Sequence, residues 1–415
     1  MALHRLAPVT ALALLLASAC SSEPSADRAG ASAGVAEADA KRAEGQGTPE
    51  QAAPSGPLSP ERALVAKLGL PPRFLVGLGN DLPPPEANFD YTKSGIYTLP
   101  AKLDIHYVYL SGLPGQGGWP DHDPNGTYVN VQADIAAARG IAPMFTLYQA
   151  AAWGENDFEA VKNPDFMGPY WEGARLLFER LAIFGKPAIV HFEPDFWGYA
   201  QKRAKGGDPA TVPVLVSSLV SECSGLPDDV AGMGRCLVRL ARTLAPKVVV
   251  GFQASTFGAN DAPEVAAFLK KVGADEADLT VVETLDRDAG CFERKVDPNC
   301  QRNDGTYYWD EENVRHPNFH DHLAWARAIR DGVGKPLLWW QMPLGVPSDA
   351  PGGNSGRYRD NRVRYLFAHP EEFVAAGGIG AAFGEGAENQ TTIFTDGGQF
   401  SRAVVSYYKK PAPLP

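Results

Sequence analysis

The stretch Pro187-Ala188-Ile189-Val190-His191-Phe192-Glu193-Pro194-Asp195-Phe196-Trp197-Gly198 sets two carboxylates, an imidazole and an indole directly after a short apolar run. The run reads as a buried strand, and Pro194, which cannot donate a ladder hydrogen bond, marks where strand gives way to loop. Side chains alternate along a strand, so His191, Glu193 and Asp195 are expected on one face and Phe192 on the other.

Comparable apolar runs recur at Phe74 to Leu78, Ile105 to Leu110, Pro143 to Leu147, Val248 to Phe252, Leu279 to Val282, Leu337 to Trp340 and Ile379 to Phe383, which makes the Ala188 to Phe192 run the fourth of eight. Helix-period segments lie between them, near Val129 to Arg139, Tyr170 to Phe184, Val230 to Leu244, Ala262 to Val272, His320 to Asp331 and Asn361 to His369. Strand alternating with helix implies parallel βα units. Eight of them predict a (β/α)8 TIM barrel, whose chemistry sits where the strands end. The alternative is an open doubly wound α/β sheet. It is disfavoured because Gly77-Leu78-Gly79 does not continue into a Gly-x-Gly-x-x-Gly turn, and because polar residues follow almost every strand rather than one switch point. Asn80 to Lys102 contains Pro83-Pro84-Pro85 and no helical period, so the first crossover helix is expected to be missing or reduced.

At the N-terminus, His4 and Arg5 precede an apolar stretch from Leu6 to Ala17, followed by Ser18, Ala19 and Cys20. This is a secretory h-region, too short to span a bilayer as a mature helix. Leu16-Ala17-Ser18-Ala19-Cys20 resembles a bacterial lipobox, with Ala17 where leucine is commoner. The resemblance implies a signal peptide over 1–19, cleavage before Cys20, acylation of its thiol, and an exported cell-envelope lipoprotein held to the membrane by lipid alone. Residues 20–59 are rich in Ala, Ser, Glu, Gly and Pro without an aromatic, and read as a disordered tether. Residues 60–415 remain for one barrel domain, long but within the range of barrels with insertions.

Cys223, Cys236, Cys291 and Cys300 allow three pairings. Neighbour pairing, Cys223 with Cys236 and Cys291 with Cys300, is expected because loop closure favours short separations and an exported chain meets oxidising conditions. No Cys or His spacing suggests zinc. Asp121-His122-Asp123-Pro124-Asn125-Gly126 copies the opening of a calcium loop, but its twelfth position is Gln132, so a solvated turn is expected and no metal or cofactor. The net charge of −11, without a basic cluster among aromatics, disfavours nucleic acid and, more weakly, polyanionic substrates. There is no internal repeat, and a monomer is expected.

The strand ends carry Asn80 and Asp81, His106, Tyr148, His191 with Glu193 and Asp195, Gln253, Glu283, Gln341 and Glu385. A barrel needs none of these for stability, which resides at its opposite face. Aromatics crowd the same loops, and flat apolar faces with a polar edge suit sugar rings. Trp119, Trp153, Trp197 and Trp309, beside Gly, Pro or charges, are the platform candidates; Trp171 and Trp340 read equally well as core. Asn80, Asp81, His106, Tyr148, Gln253 and Gln341 are the expected partners of sugar hydroxyls, or of one another.

On these residues, Phe74 to Tyr408 resembles the α/β-barrel glycoside hydrolase superfamily, without matching an individual family. In the large group whose acid/base follows strand four and whose nucleophile follows strand seven, the first position matches Glu193. The seventh strand, Leu337-Leu338-Trp339-Trp340-Gln341, ends in an amide that cannot be a nucleophile, and the Asp-x-Glu order of chitinase-like barrels is reversed here. The resemblance implies hydrolysis of a poly- or oligosaccharide by a carboxylate pair. Glu193 is the first choice of acid, because apolar neighbours keep a carboxyl protonated. Asp195 or His191 would tune it. Glu283 is the expected partner, Glu385 the reserve, with Asp286 and Asp288 behind. Pairing with Arg287 or Arg294 is the plain structural alternative for any of these acids. A surface carbohydrate-binding protein that has lost catalysis is the competing reading, motivated by Gln341. A metal-dependent phosphodiester or deacetylating enzyme is a third, for which His106, His191 and Asp81 are too loosely spaced.

Overall fold

Eight parallel strands close on one another in chain order: β1 (Leu75–Gly79), β2 (Ile105–Ser111), β3 (Ala142–Tyr148), β4 (Ile189–Phe192), β5 (Val249–Ala254), β6 (Leu279–Val282), β7 (Leu337–Met342) and β8 (Gly378–Phe383), with β8 paired to β1. The structure is a computed structural model that describes residues 57–415 apart from 84, 260, 285–286, 296–299, 302–306 and 350–352. The expected signal peptide, Cys20 and nearly all of the 20–59 tether lie outside the described residues. The fold is the (β/α)8 barrel expected from the alternation, not the open sheet.

Period-two patterning divides the core into two layers. Leu75, Ile105, Tyr107, Met144, Ile189, Val249, Leu279, Val281, Leu338, Trp340 and Ile379 fill the barrel, and Leu64 and Val65 of the helix Pro60–Lys67 pack against this interior layer. Residues of the other parity, among them Leu78, Val108, Phe145, Val190, Phe192, Phe252 and Phe383, face the surrounding helices. Those helices begin and end where local chemistry dictates. Pro164–Phe184 starts on an Asn163 side chain that accepts from Asp165 N–H and stops at Gly185 with φ +66, so it runs six residues further toward the N-terminus than periodicity alone indicates. Val230–Leu244 starts on Asp229, which accepts from Gly232 N–H at 2.8 Å.

Among the described residues of 80–102 there is no full crossover helix, only two 3-10 turns and the four-residue helix Gly95–Thr98. A buried polar cluster fastens them to the barrel. His106 Nε2 meets Asp81 Oδ1 at 2.9 Å, His106 Nδ1 meets the Tyr97 hydroxyl at 2.9 Å, and Asp81 Oδ2 accepts from Ile96 N–H at 2.6 Å. Cys223 is bonded to Cys236 and Cys291 to Cys300, the neighbour pairing expected from loop entropy.

Candidate active site

The C-terminal mouth of the barrel opens into a cavity of about 460 Å³. Asn80 reaches it from just after β1, Tyr109 and Ser111 from β2, Tyr148 from β3, Asp195 from the loop after β4, Glu283 from just after β6, Trp340 and Gln341 from β7, and Glu385 from the loop after β8. Glu155, Arg287 and Glu388 complete the polar wall. Five carboxylates thus face one guanidinium. Trp340 forms the floor, its ring 4.8 Å from His191 edge to face and 5.7 Å from Tyr109.

Two amides shape the wall. Asn80 Nδ2 donates to the Glu385 carbonyl at 2.7 Å, and Gln341 Nε2 donates to the same carbonyl at 3.3 Å and to the Tyr109 hydroxyl. Both residues occupy the left-handed region, with φ +50 and +52, so each strand end turns its amide toward the loop that presents Glu385. Burial raises the Glu385 carboxyl above its ordinary value. The loop after β6 is braced from behind by buried Arg362, which donates to the carbonyls of Thr284 and Arg287 and is paired with Asp360 at 2.7 Å.

Tyr148 carries the most telling contacts. Its hydroxyl lies 3.0 Å from Asp195 Oδ2 and 3.0 Å from Glu155 Oε1. Burial, then the Asp195 and Glu155 charges, hold the phenol well above its usual range, so it keeps its proton. A phenol has one proton to give. The hydroxyl can donate to only one of them at a time, and either way it ties Asp195 to the rim of the cavity.

Several expected site residues stand elsewhere. Glu193 does not line the cavity: it is 1 % exposed, and its carboxylate accepts from Gln149 N–H at 3.1 Å and Ala150 N–H at 3.0 Å, beside Tyr170. The cause is its backbone, for φ +42 breaks the alternation that would have kept Glu193 on the face of His191. Burial lifts its carboxyl to about 8, against the backbone N–H groups that favour the anion. His191 points into the barrel, where burial lowers its imidazole to about 3. Gln253 is its polar neighbour, and neither side chain reaches good hydrogen-bond geometry among the described residues. His106 and Asp81 are buried in the cluster that holds residues 80–102, outside the mouth. Trp197 is a core residue, 1 % exposed, donating to the Phe192 carbonyl at 2.7 Å; Trp309 is buried against Phe319 and His322. Trp153 is exposed and bonded to Gln116, but does not line the mouth cavity. Asp288 is buried behind the mouth, accepting from Thr391 N–H at 2.8 Å, and Asp286 lies outside the described residues. Asp121 of the calcium-like segment accepts from the N–H groups of Gly115 and Gly117, a turn-forming role.

Tyr109, Ser111, Glu155, Glu388 and a cavity-lining Arg287 were not among the expected site residues. The first two had a signal, since Ile105, Tyr107 and Tyr109 share one parity on β2 and the inward face of its end is therefore Tyr109. Glu155, Arg287 and Glu388 come from loops with no period to read.

No family model and no curated protein matches the chain. Solved structures similar to it include a GH26 β-mannanase from Bacteroides ovatus, 10 % identical, covering 85 % of this chain and 94 % of that chain with TM-score 0.44. A family 5 glycoside hydrolase from Prevotella bryantii B14, in complex with a xyloglucan tetradecasaccharide, is 11 % identical over 81 % and 97 % with TM-score 0.45. A D-allulose 3-epimerase from Methylomonas sp., in complex with D-allulose, is 12 % identical over 82 % and 98 % with TM-score 0.43. Likenesses this distant assign neither substrate nor reaction, which rest on the residues of the mouth.

Proposed function

We propose that this chain is a glycoside hydrolase acting on a poly- or oligosaccharide, with Asp195 as proton donor and Glu283 as the second carboxylate. The observation that carries the reading is the Tyr148 hydroxyl, placed between Asp195 and Glu155 at the mouth of a barrel where Glu283 and Glu385 face the same cavity. In this reading the Asp195 carboxylic acid delivers its proton to the glycosidic oxygen as the bond to the anomeric carbon breaks. A second, ionised carboxylate then either attacks that carbon or takes a proton from the water that does. Asp195 is preferred to Glu193, which the fold turns away from the cavity. Gln341 is engaged with Tyr109 and Glu385, so an amide at the end of β7 fits a positioning role and does not argue for lost catalysis.

Reducing-end release from a panel of plant, fungal and bacterial polysaccharides tests the reading. Asp195→Asn and Glu283→Gln are each expected to lower the rate by about a hundredfold or more with the melting temperature unchanged. Full activity in both variants overturns the assignment, and glycan binding with no product over long incubation favours the non-catalytic carbohydrate-binding alternative.

The lipobox-like segment and the two disulfides support export to an oxidising envelope compartment with a lipid anchor on Cys20. Cys20→Ser is expected to move the protein from the membrane to the soluble fraction on expression in a bacterial host. Retention on the membrane rejects the anchor.

A further inference from the structure

Beside the mouth lies a second cavity, of about 330 Å³, which shares Tyr109 and Ser111 with the first. Its walls are aromatic: Trp119, Tyr128, Tyr91 and Phe89. Trp119 is fixed, since its indole N–H donates to Gln149 Oε1 at 2.9 Å, and Tyr91 meets Tyr128 edge to face at 5.4 Å. Phe89 is different. It is 82 % exposed, the most exposed of the large apolar side chains described, and it follows Asn88 with both residues at positive φ, +51 and +58. Core packing does not explain an aromatic ring held out to water in a backbone conformation that bulky residues avoid.

We propose that this cavity is a saccharide subsite, taking a sugar ring of the same chain whose glycosidic bond lies over Asp195; the proposal rests on the glycoside hydrolase reading. Continuity argues for this occupant. Tyr109 and Ser111 form part of both walls, so a chain leaving the acidic mouth on the β2 side meets the aromatic faces next. Chemistry argues for it as well. The mouth offers carboxylates and amides suited to hydroxyls at the reacting ring, whereas the annex offers apolar faces edged by the hydroxyls of Tyr91, Tyr128 and Ser111, which suits a ring that is held and not cleaved. Its volume falls within the range of small-ligand sites, about 300–1,000 Å³. The segment that supplies Phe89 and Tyr91 stands where the first crossover helix is absent, so the departure from barrel regularity builds this wall.

The test is calorimetric, on the full chain carrying Asp195→Asn to prevent turnover, with cellohexaose, mannohexaose, xylohexaose and chitohexaose set against the corresponding disaccharides. At least one hexasaccharide is expected to bind about tenfold or more tightly than its disaccharide, and Phe89→Ala with Tyr91→Ala to reduce that ratio by about tenfold. Phe89 is exposed, so the single Phe89→Ala variant, with its melting temperature checked, serves where the double variant fails to fold. Hexasaccharide binding that the substitutions leave unchanged overturns the subsite while the hydrolase reading stands. Binding of no saccharide, together with no hydrolysis by the unsubstituted chain, overturns both. A dimer in sedimentation that the substitutions dissociate assigns the patch to self-association and also overturns the subsite.

Discussion

Glu193 precedes Pro194, a position that disfavours helical backbone, yet it adopts φ +42. Such a conformation costs on the order of 1–3 kcal/mol and persists only where the surroundings over-determine it. Here the surroundings are the N–H groups of Gln149 and Ala150, both of which donate to the Glu193 carboxylate at the end of β3. Glu193→Ala would leave both buried and unpaired, for an expected loss of about 2–5 kcal/mol in urea denaturation. Glu193→Gln keeps an acceptor and is expected to lose less, while retaining hydrolysis within about tenfold of the unsubstituted chain, against the hundredfold or greater loss in Asp195→Asn. A Glu193→Gln variant as inactive as Asp195→Asn would return the acid role to Glu193. The cluster His191 to Asp195 was legible as a strand end at the catalytic rim. Which acid faces the cavity was not, because a single positive φ reverses the alternation and no hydrophobic pattern encodes it.

At the scale of elements, the segment from Asn80 to Lys102 shows what a pattern can and cannot say. Three consecutive prolines and a missing period were enough to expect no crossover helix. The device that replaces the helix was hidden, since His106 reads as a rim residue until β2 is given its parity, with Ile105 and Tyr107 inward and His106 outward. The imidazole then bridges Asp81 and Tyr97, and Asp81 in turn holds Ile96 N–H. His106→Ala would strand a buried carboxylate with a single remaining donor, an expected loss of about 2–4 kcal/mol. Tyr97→Phe removes one hydrogen bond and should lose about 0.5–1.5 kcal/mol. Because this segment carries Phe89 and Tyr91, limited proteolysis near these residues is expected to accelerate in His106→Ala before global unfolding. Equal proteolysis rates in His106→Ala and the unsubstituted chain would mean the cluster does not hold the segment.

Across the whole molecule, the eightfold recurrence of strand runs was the robust signal, because burial on both faces makes each strand a contiguous apolar word that loops do not imitate. The same burial traps titratable groups, and their opposing shifts give stability a definite pH profile. Glu193 is raised from 4.5 to about 8 by burial, and Asp288 is raised by burial and by the neighbouring Asp360 charge. The folded state therefore binds protons that the unfolded chain has released above its ordinary carboxylate pKa of about 4, so these groups make stability fall as pH rises from about 4 to about 8. His191 and His322 act oppositely. Burial lowers both from 6.5 to about 3, so between those values the unfolded chain binds the extra protons and stability rises with pH. The two imidazoles thus work against the raised carboxyls between about pH 4.5 and 6.5, where Asp104, Glu385 and Asp396, also raised by burial, add to the carboxyl side, and above 6.5 the imidazoles no longer oppose them. Stability is expected to change less across the first window than between pH 6.5 and 8, where it falls as Glu193 and Asp288 lose their protons. Below pH 4 it should fall again, as the imidazoles still titrate and Asp121, Asp228 and Asp310, held low by backbone N–H groups, take up protons. Urea denaturation of the full chain at half-unit steps from pH 4 to 8.5 measures the profile. Glu193→Gln combined with Asp288→Asn removes the two acids raised to about 8 while keeping an acceptor in place, so it should abolish the fall above pH 6.5. A fall that survives in the double variant would mean that other groups, not these two buried acids, set the alkaline limit of the fold.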